Sequence, residues 1–356
     1  MAYVAARGGE AAIQQAERLY RLLNGSFDRA FVAMIARHMP YLVDRVMGES
    51  SLYAPDLAAL ALAQTGGDLY EAVLLLRAYR STQPRLGYAA PVSDAATLTL
   101  RRISAAFKDI PGGQTLGPTL DYSHRILDLA LLDGIAAAPA PFELADTPAP
   151  AQYPAVASWQ RASGLLDPLP PQPEIDPAAL PDVTRDAVSF PVERAHRLQT
   201  LARADTGGVL ALGYSSMRGY GLIHPTVNEV RLAYADVNLR HPITGEHFSV
   251  GRVRVSQAEV VTTFAGGEAK LALGFAATLG WNEVKTIAAS MLDLEMDKPG
   301  GHPAHAEEFV LYHTEPVEAS GFCIHYKLPH YVTYNSALDA IQRARRATQS
   351  PEEPPR

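Results

Sequence analysis

Cysteine is almost absent from this chain of 356 residues, since Cys323 is the only one. A single cysteine excludes a disulfide framework within the chain, and it excludes a zinc or iron-sulfur site built from several of the chain's own cysteines. We therefore expect a reducing, cytoplasmic setting.

Excess positive charge and long apolar runs are also lacking. The chain has 31 lysines and arginines against 38 aspartates and glutamates, a net charge of -7. This balance argues against nucleic-acid binding through bulk positive charge, so a local basic cluster must hold any polyanionic ligand. No stretch approaches the roughly 18 continuous apolar residues of a membrane-spanning helix. We expect neither nucleic acid nor a membrane as a partner.

Changes of composition along the chain predict an α+β fold. Residues 1–134 are predicted to be mainly helical with one glycine-rich loop. Residues 135–191 contain 12 of the 27 prolines and few periodic apolar positions, so they are predicted to be a proline- and alanine-rich linker. Residues 192–346 show mixed strand and helix patterns, and residues 347–356 are predicted to be a disordered tail.

Start and stop signals place helices in the first region. The first helix is predicted to end at Asn24-Gly25. A helical hairpin follows over residues 57–80, with Asp68 as the cap of its second helix. Further helices are predicted around TLTLRRISAAF (97–107) and over DYSHRILDLALLDG (121–134).

Strand patterns dominate after residue 192, with helices between and after them. Asn282 is predicted to cap a helix over 283–296, and the chain ends in an amphipathic helix over 335–348. The predicted strands are VLALGY (209–214), NEVRLAYADV (228–237), HFSVGRVRV (247–255), VVTTF (260–264), EEFVLYH (307–313) and GFCIHYKL (321–328).

A glycine-rich loop, KDIPGGQTLGPT (108–119), separates two of the predicted helices. A backbone rich in glycine can approach a phosphate closely. The loop is not a P-loop, because the characteristic lysine and hydroxyl residues are missing. The motif therefore fits either a phosphate cradle or a tight structural loop.

Two short segments combine charged and titratable side chains. Asp121, His124 and Arg125 are spaced to share one face of a helix, where they form either a reactive group or a solvated ion pair. The segment RGYGLIHP (218–225) places Arg218 before two glycines and His224, and its alternative interpretation is a hairpin loop.

Histidine is unevenly distributed, with 8 of the 11 residues at or after His224. Clustering of imidazoles invites a metal or acid-base site, although single histidines are usually ordinary surface or core residues. His325 and His330 are five residues apart, so a continuous strand would direct them to opposite faces. Only a break at Pro329 would let the two rings converge.

Several stretches in this order resemble the PhnI family, a subunit of bacterial carbon-phosphorus lyase. They are YVAARGGEAAI (3–13), VDRVM (43–47), LAALAL (57–62), LLLRAYR (74–80), RRISAAFKDIPGGQTLGPTLDYSHRILD (101–128), RGYG with His224, EEFVLYH (307–313) and KLPHYV (327–332).

The resemblance implies a cytoplasmic complex with PhnG, PhnH and PhnJ that works with PhnL. The reaction it implies is displacement of adenine from C1′ of MgATP by an alkylphosphonate oxygen, which gives ribose 1-methylphosphonate 5-triphosphate. Alone, such a subunit is expected to act as a purine nucleosidase on ATP or GTP. Two alternatives stay open: a non-catalytic scaffold subunit, and an unrelated metal-dependent phosphohydrolase.

Cleavage of a glycosidic C-N bond needs a carboxylate near the sugar and an acid that protonates the purine, while a triphosphate needs cations. The candidates are Asp109 or Asp121 for the carboxylate, His124 or His224 for the acid, Lys108, Arg125 and Arg218 for phosphate, Gly112 and Gly113 for backbone N-H contacts, and Gln114 and Tyr220 as further substrate-binding residues.

The resemblance also implies that His325 and His330 are two zinc ligands. Two ligands do not complete a tetrahedral site, so water, a phosphate oxygen or a partner's side chains must supply the others. We therefore expect a zinc site at a subunit interface, with magnesium entering separately as MgATP.

Overall fold

The computed structural model of the chain describes residues 9–25, 27–135, 153–170, 176–218, 224–263, 269–327 and 331–349, without the side chains of residues 95 and 331–333. These residues form twelve α-helices and one antiparallel sheet of four strands. The predicted α+β class is confirmed. The division of the chain into four segments stays a prediction.

The first five helices form a bundle with its own apolar core. They are α1 (Gly9–Asn24), α2 (Arg29–His38), α3 (Pro40–Ser50), α4 (Pro55–Gln64) and α5 (Leu69–Ser81). Val43, Met47, Leu62 and Leu76 are among the buried side chains that join α3, α4 and α5. Helix α1 has no buried residue, so its apolar side chains face outward.

The predicted boundaries of these helices are largely confirmed. Helix α1 ends at Asn24, and Gly25 takes a φ of 81° there, which favours glycine. Helix α4 is followed by Gly66 and Gly67, also with positive φ. Asp68 caps α5, because its Oδ1 accepts hydrogen bonds from the backbone N-H groups of Tyr70 and Glu71.

The sheet has the strand order β1-β2-β3-β4. Its strands are β1 (Thr97–Ile103), β2 (Thr226–Arg240), β3 (His247–Thr263) and β4 (Leu271–Leu279). The strands predicted over 228–237 and 247–255 are confirmed, and so is the described part, 260–263, of the strand predicted over 260–264; the last two are parts of the single long strand β3. Strand β4 was not predicted from the sequence.

The helix predicted around residues 97–107 is wrong, because this segment forms β1. Its TLTL sequence alternates with period two, and the strand pairs antiparallel with β2 from Thr97 opposite Ala235 to Ile103 opposite Val230. The partner strand lies more than a hundred residues away, so the local pattern does not reveal the pairing.

A second apolar core lies between the sheet and the helices that follow it. Leu201, Val209, Ala276 and Leu292 are buried together in this core. The helices after the bundle are α6 (Val156–Ala162), α7 (Arg194–Arg203), α8 (Thr206–Met217), α9 (Glu283–Glu295), α10 (Glu307–His313), α11 (Pro316–Ile324) and α12 (Tyr331–Gln349). The predicted helices after Asn282 and near the end of the chain are therefore confirmed as α9 and α12.

The strand predicted over 209–214 is wrong, because these residues belong to α8. Val209, Gly213 and Ser216 are the buried positions of this helix, at the helical spacing i, i+4 and i+7. A side chain at Gly213 would contact Ala288 of α9, so the small residue allows the two helices to approach closely.

The strands predicted over 307–313 and 321–328 are also wrong. The first segment is α10, and α11 covers most of the described part of the second. Glu315 caps α11 through its Oε2, which accepts from the N-H groups of Val317 and Glu318, and Pro316 occupies the first helical position. These helix start signals precede the apolar segment. The strand prediction considered only the apolar segment itself and therefore missed them.

The helix predicted over 121–134 is absent. Residues 121–128 form turns, and a short 3-10 helix covers Leu129–Asp133. The apolar side chains here have no surface to cover, since Ile126 and Leu127 are 81% and 86% exposed. An amphipathic helix depends on burial of its apolar face, so the local pattern alone does not form one.

Within the described ranges, none of the helices has the length and apolar character that a membrane crossing needs.

Candidate functional site

A cavity of about 340 Å³ lies where the amino-terminal ends of α8 and α9 meet the loop after residue 118. We call it the α9 cavity. Asp121, Arg125, Thr206, Glu283 and Lys285 are among its lining residues. Two helix amino termini therefore border it, each with a partial positive charge, although the N-H groups of Thr206 and Gly208 at the start of α8 already donate to Glu49 and Asp205.

Lys285 supplies a positive charge to this cavity from the protein interior. The residue is 1% exposed, and its Nζ has no hydrogen-bond partner among the described residues. Burial lowers the pKa of Lys285 to about 8, although the carboxylate of Glu49 acts in the opposite direction. A buried ammonium without a partner is a strong attractor for an anion.

Asp121 is fixed at the opposite side of the cavity by a buried arginine of β1. Arg101 donates from Nη2 to Asp121, from Nε to Glu283 at 2.6 Å, and from Nη1 to the carbonyl of Leu116 at 2.8 Å. Asp121 also lies 3.9 Å from Arg125, so the predicted pair is brought together without the predicted helix. Arg101 thus aligns a loop carboxylate with the start of α9.

Burial raises the pKa of Glu283, although its contact with Arg101 opposes the shift. Glu283 therefore lies closer to protonation than an exposed glutamate, beside a carboxylate that the sequence had already suggested.

The helix bundle supports the cavity from behind. Glu49 of α3 accepts at Oε1 from Arg45 at 2.8 Å and from the backbone N-H and hydroxyl of Thr206 at 3.0 and 2.7 Å. Asp44, on the same helix, accepts at Oδ2 from the N-H of Trp281 at 3.0 Å. These contacts fix the amino termini of α8 and α9 relative to α3.

The glycine-rich loop is held by its carbonyl groups. Arg102 donates from Nη1 to the carbonyls of Pro111 and Gly113 at 2.8 and 2.7 Å. The N-H of Gly113 donates to the carbonyl of Ile110 at 2.9 Å, which closes a turn. The side chain of Gln114 bridges the N-H of Ser104 and the carbonyl of Lys108.

These contacts give the loop a defined shape, with Lys108, Asp109, Gly112 and Gly113 on its exposed surface. Their roles in substrate binding stay predictions.

A buried charge network lies under this loop. Glu229 accepts at Oε1 from Arg102 at 2.6 Å and at Oε2 from the N-H of Val156 at 3.0 Å. Burial and the neighbouring charge of Glu229 raise the pKa of Glu259 to about 7. The Nδ2 of Asn228 donates to Glu259 at 2.9 Å and to the Oε1 of Gln160 at 3.0 Å.

The candidate acids lie apart from the α9 cavity. His124 is exposed, and of the described residues neither His124 nor His224 lines this cavity. His224 instead borders a smaller cavity of about 110 Å³ together with Glu295 and His305. Arg218 is exposed at the end of α8, while Tyr220 lies outside the described residues.

The predicted zinc ligands lie near the end of the chain. His325 follows α11 directly and is half-buried, with its ring 4.2 Å from the ring of Tyr326. His330 lies outside the described residues. Among the residues that the structure describes, no group of three or more His, Cys, Asp or Glu side chains could hold a metal ion.

Sequence reasoning missed Arg101, Lys285 and Glu49. Lys285 occupies the first turn of α9, where a positive charge interacts unfavourably with the helix dipole. This unusual position was the one sequence signal that could have identified Lys285. Arg101 and Arg102 are two adjacent arginines within a strand. The sequence around them was predicted to be a helix, so they were not recognised as buried residues. Glu49 gave no local signal, because its partner Thr206 is 157 residues away.

Comparison with known proteins places this arrangement in a family. Residues 2–348 match the family model described as bacterial phosphonate metabolism protein PhnI. The chain is 43% identical over 374 residues to "Putative C-P lyase subunit protein HtxH" of Stutzerimonas stutzeri, covering 99% of this chain and 98% of that protein.

Two further relatives are each described as alpha-D-ribose 1-methylphosphonate 5-triphosphate synthase subunit PhnI. The chain is 41% identical over 360 residues to the one from Rhizobium meliloti (strain 1021), covering 97% of this chain and 95% of the relative. It is 40% identical over 354 residues to the one from Escherichia coli (strain K12), covering 96% and 98%. The chain belongs to the PhnI family.

Proposed function

We propose that this chain is a subunit of a phosphonate-degrading carbon-phosphorus lyase system and that it acts in ribosyl transfer. An alkylphosphonate oxygen displaces adenine from C1′ of MgATP, the C-N bond breaks, and ribose 1-methylphosphonate 5-triphosphate forms. Without partners, water takes the place of the phosphonate and the chain acts as a purine nucleosidase on ATP or GTP. The observation that carries this proposal is the α9 cavity, where the Asp121 carboxylate lies near the guanidinium groups of Arg101 and Arg125.

Each group in the cavity has a role in this reaction. Arg125 and the N-H groups at the start of α9 bind the triphosphate, while the buried charge of Lys285 attracts it from behind the cavity wall. Asp121 faces the sugar and stabilises the positive charge that develops at C1′ as the purine leaves. Arg101 is a positioning residue, because it holds Asp121 and Glu283 without lining the cavity itself.

The acid that protonates the departing purine is His124, His224 or Glu283. Glu283 joins the two histidines because it lines the α9 cavity and has a raised pKa. Lys108, Asp109, Gly112, Gly113, Gln114, Arg218 and Tyr220 remain candidates for contacts with the rest of the substrate.

We propose zinc as a further component, with His325 and His330 as two ligands and the others supplied at an interface with a partner subunit. When bound, zinc would act as a Lewis acid toward a phosphate oxygen. Zinc content, measured for the chain with and without partners, tests this site, and the His325→Ala change should lower it only in the complex.

Unpartnered apolar surface supports assembly with PhnG, PhnH, PhnJ and PhnL in the cytoplasm. On α12, Tyr334, Leu338 and Ile341 are 76%, 51% and 53% exposed at a helical spacing. On α1, Leu22 and Leu23 are 80% and 74% exposed. Apolar patches of this kind are typical of protein interfaces. They also favour the alternative proposal, a scaffold subunit whose chemistry is completed across an interface.

Chromatography of adenine released from ATP tests these proposals. The purified chain should release adenine slowly, and Asp121→Asn should suppress the release. Asp236→Asn is the matched control, because Asp236 also pairs with an arginine and is similarly accessible, but it lies on β2 and does not line the α9 cavity. Adenine released only with partners would favour the scaffold role, and release of inorganic phosphate instead would favour a phosphohydrolase.

A further inference from the structure

A second cavity, of about 490 Å³, lies between the carboxyl-terminal ends of α3 and α5 and the turn at residues 182–185. We call it the arginine pocket, because Arg80, Arg85 and Arg185 line it. It shares no lining residue with the α9 cavity. Its volume lies within the range of about 300–1,000 Å³ that is usual for small-molecule sites.

Positive charge in this pocket exceeds negative charge. Asp182 is the only carboxylate among its lining residues, so three arginines and one aspartate leave a net charge of +2. Arg85 donates to Asp182, and Arg185 lies 3.9 Å from the same oxygen. The Nε of Arg80 is buried without a hydrogen-bond partner among the described residues.

The residues behind the pocket do not neutralise this charge. Arg77 donates to Glu315 Oε1, and Arg203 donates to the same oxygen at 3.3 Å, so two guanidinium groups share one carboxylate. Burial and then the charge of Arg77 lower the pKa of Arg80. Burial and Arg77 also lower the pKa of Arg203 to about 10. The guanidinium groups of Arg77, Arg80 and Arg203 therefore repel one another in the folded chain, and a bound anion would reduce this repulsion.

Ser51, the residue that ends α3, adds a hydroxyl group to the lining of the pocket. It has a φ of 53°, and it is the only described residue other than glycine in the left-handed region. This conformation costs about 1–2 kcal/mol for a side chain other than glycine. Here it ends α3 as a left-handed cap, with the Ser51 N-H donating to the carbonyl of Gly48 at 3.3 Å, and it places a serine beside the arginines.

We propose that the arginine pocket binds the phosphate group of a small phosphorylated molecule. A phosphate dianion matches the net charge of the lining, and its oxygens match the planar donor pattern of guanidinium groups. If the α9 cavity binds a nucleotide as proposed above, the arginine pocket would be a second, separate binding site for phosphorylated compounds on the same subunit.

Binding of inorganic phosphate to the full chain tests this proposal. Titration calorimetry is carried out on the Lys285→Met variant without nucleotide, so that the α9 cavity does not contribute, against chloride at equal ionic strength. We expect one phosphate per chain, and a further Arg80→Gln change should weaken binding by about tenfold or more. Arg252→Gln is the control, because Arg252 is an exposed arginine of β3 paired with Asp236.

If Arg80→Gln does not fold, as judged by circular dichroism, Arg185→Gln takes its place, since its side chain is 54% exposed. Unchanged phosphate binding in the folded variant, or equal binding of chloride, would overturn the proposal. Loss of phosphate binding in the assembled complex would also overturn it, because the pocket would then be a protein interface. Adenine release is not measured in this experiment, so failure here leaves the proposed function untouched.

Discussion

Replacement of Lys285 by methionine should make the protein more stable and less able to bind nucleotide. The pKa of Lys285 falls from 10.5 to about 8 on folding, because the ammonium is buried. At 1.36 kcal/mol per pKa unit, the folded chain loses about 3 kcal/mol by keeping this group charged at neutral pH. Methionine has a similar length and no charge to desolvate.

The neighbouring carboxylate does not reverse this expectation. Glu49 attracts Lys285, and loss of a charge partner can leave the other charge buried and uncompensated. However, Glu49 keeps its contacts with Arg45 and Thr206, which include a guanidinium at 2.8 Å. The net effect of the substitution should therefore follow the desolvation of Lys285.

Urea unfolding measures the effect and its pH dependence. At about pH 7, Lys285→Met should gain about 3 kcal/mol over the wild type, and Lys108→Met, at an exposed lysine, should gain nothing. Between about pH 8 and 10.5 the unfolded wild type binds more protons than the folded one. Wild-type stability therefore rises across this window, and the advantage of the variant falls.

A variant that is less stable than the wild type at neutral pH would refute this reasoning, because it would mean that Lys285 is held by attraction to Glu49. In a separate measurement, affinity for ATP should fall by about tenfold or more, as expected for loss of a positive charge buried beside the binding site. Gain of stability with loss of binding would identify Lys285 as a functional charge.

Three further predictions concern the sheet, the loop and the arginine pocket. Glu259→Gln should stabilise the protein by about 3 kcal/mol above pH 7, where the raised pKa of about 7 makes the carboxylate costly, and by nothing below pH 4.5. Urea unfolding across this range checks the sign, since wild-type stability falls as pH rises from 4.5 to 7. Gly117→Ala should destabilise the protein more than Gly113→Ala in thermal unfolding. Both glycines have positive φ, but only at Gly117 would a Cβ overlap the carbonyl oxygen of Leu100. Ser51→Gly should stabilise the chain by about 1 kcal/mol, because glycine adopts the left-handed conformation at this position without the cost that serine bears. Calorimetry measures the effect, and an unchanged unfolding temperature would contradict this prediction.

Local signals in the sequence predicted those elements whose stabilising contacts are also local. Asp68 and Gly25 act within one helical turn, and both boundaries are confirmed. Strand β1 was not predicted, because it is stabilised by pairing with β2, which is far away in the sequence. The segment 121–134 failed for the opposite reason, since a helical pattern without a surface to cover does not become a helix.

The same distinction applies to the candidate site. Asp121 and Arg125 are four residues apart, and they lie close together as predicted, although the helix on which that prediction rested is absent. Lys285 reaches the same cavity only because α9 packs on the sheet and its start is fixed by Asp44, 237 residues from Trp281 in sequence. Contacts of this kind depend on the whole fold, and no motif records them.

Arg101 and Arg102 are adjacent on β1, and successive side chains on a strand point to opposite faces. Arg101 holds Asp121, the start of α9 and Leu116 of the glycine-rich loop, and Arg102 holds Pro111 and Gly113 of the same loop together with Glu229. Two neighbouring residues therefore connect both sides of the sheet mechanically. The shape of the glycine-rich loop and the position of the carboxylate in the α9 cavity therefore depend on neighbouring residues of one strand.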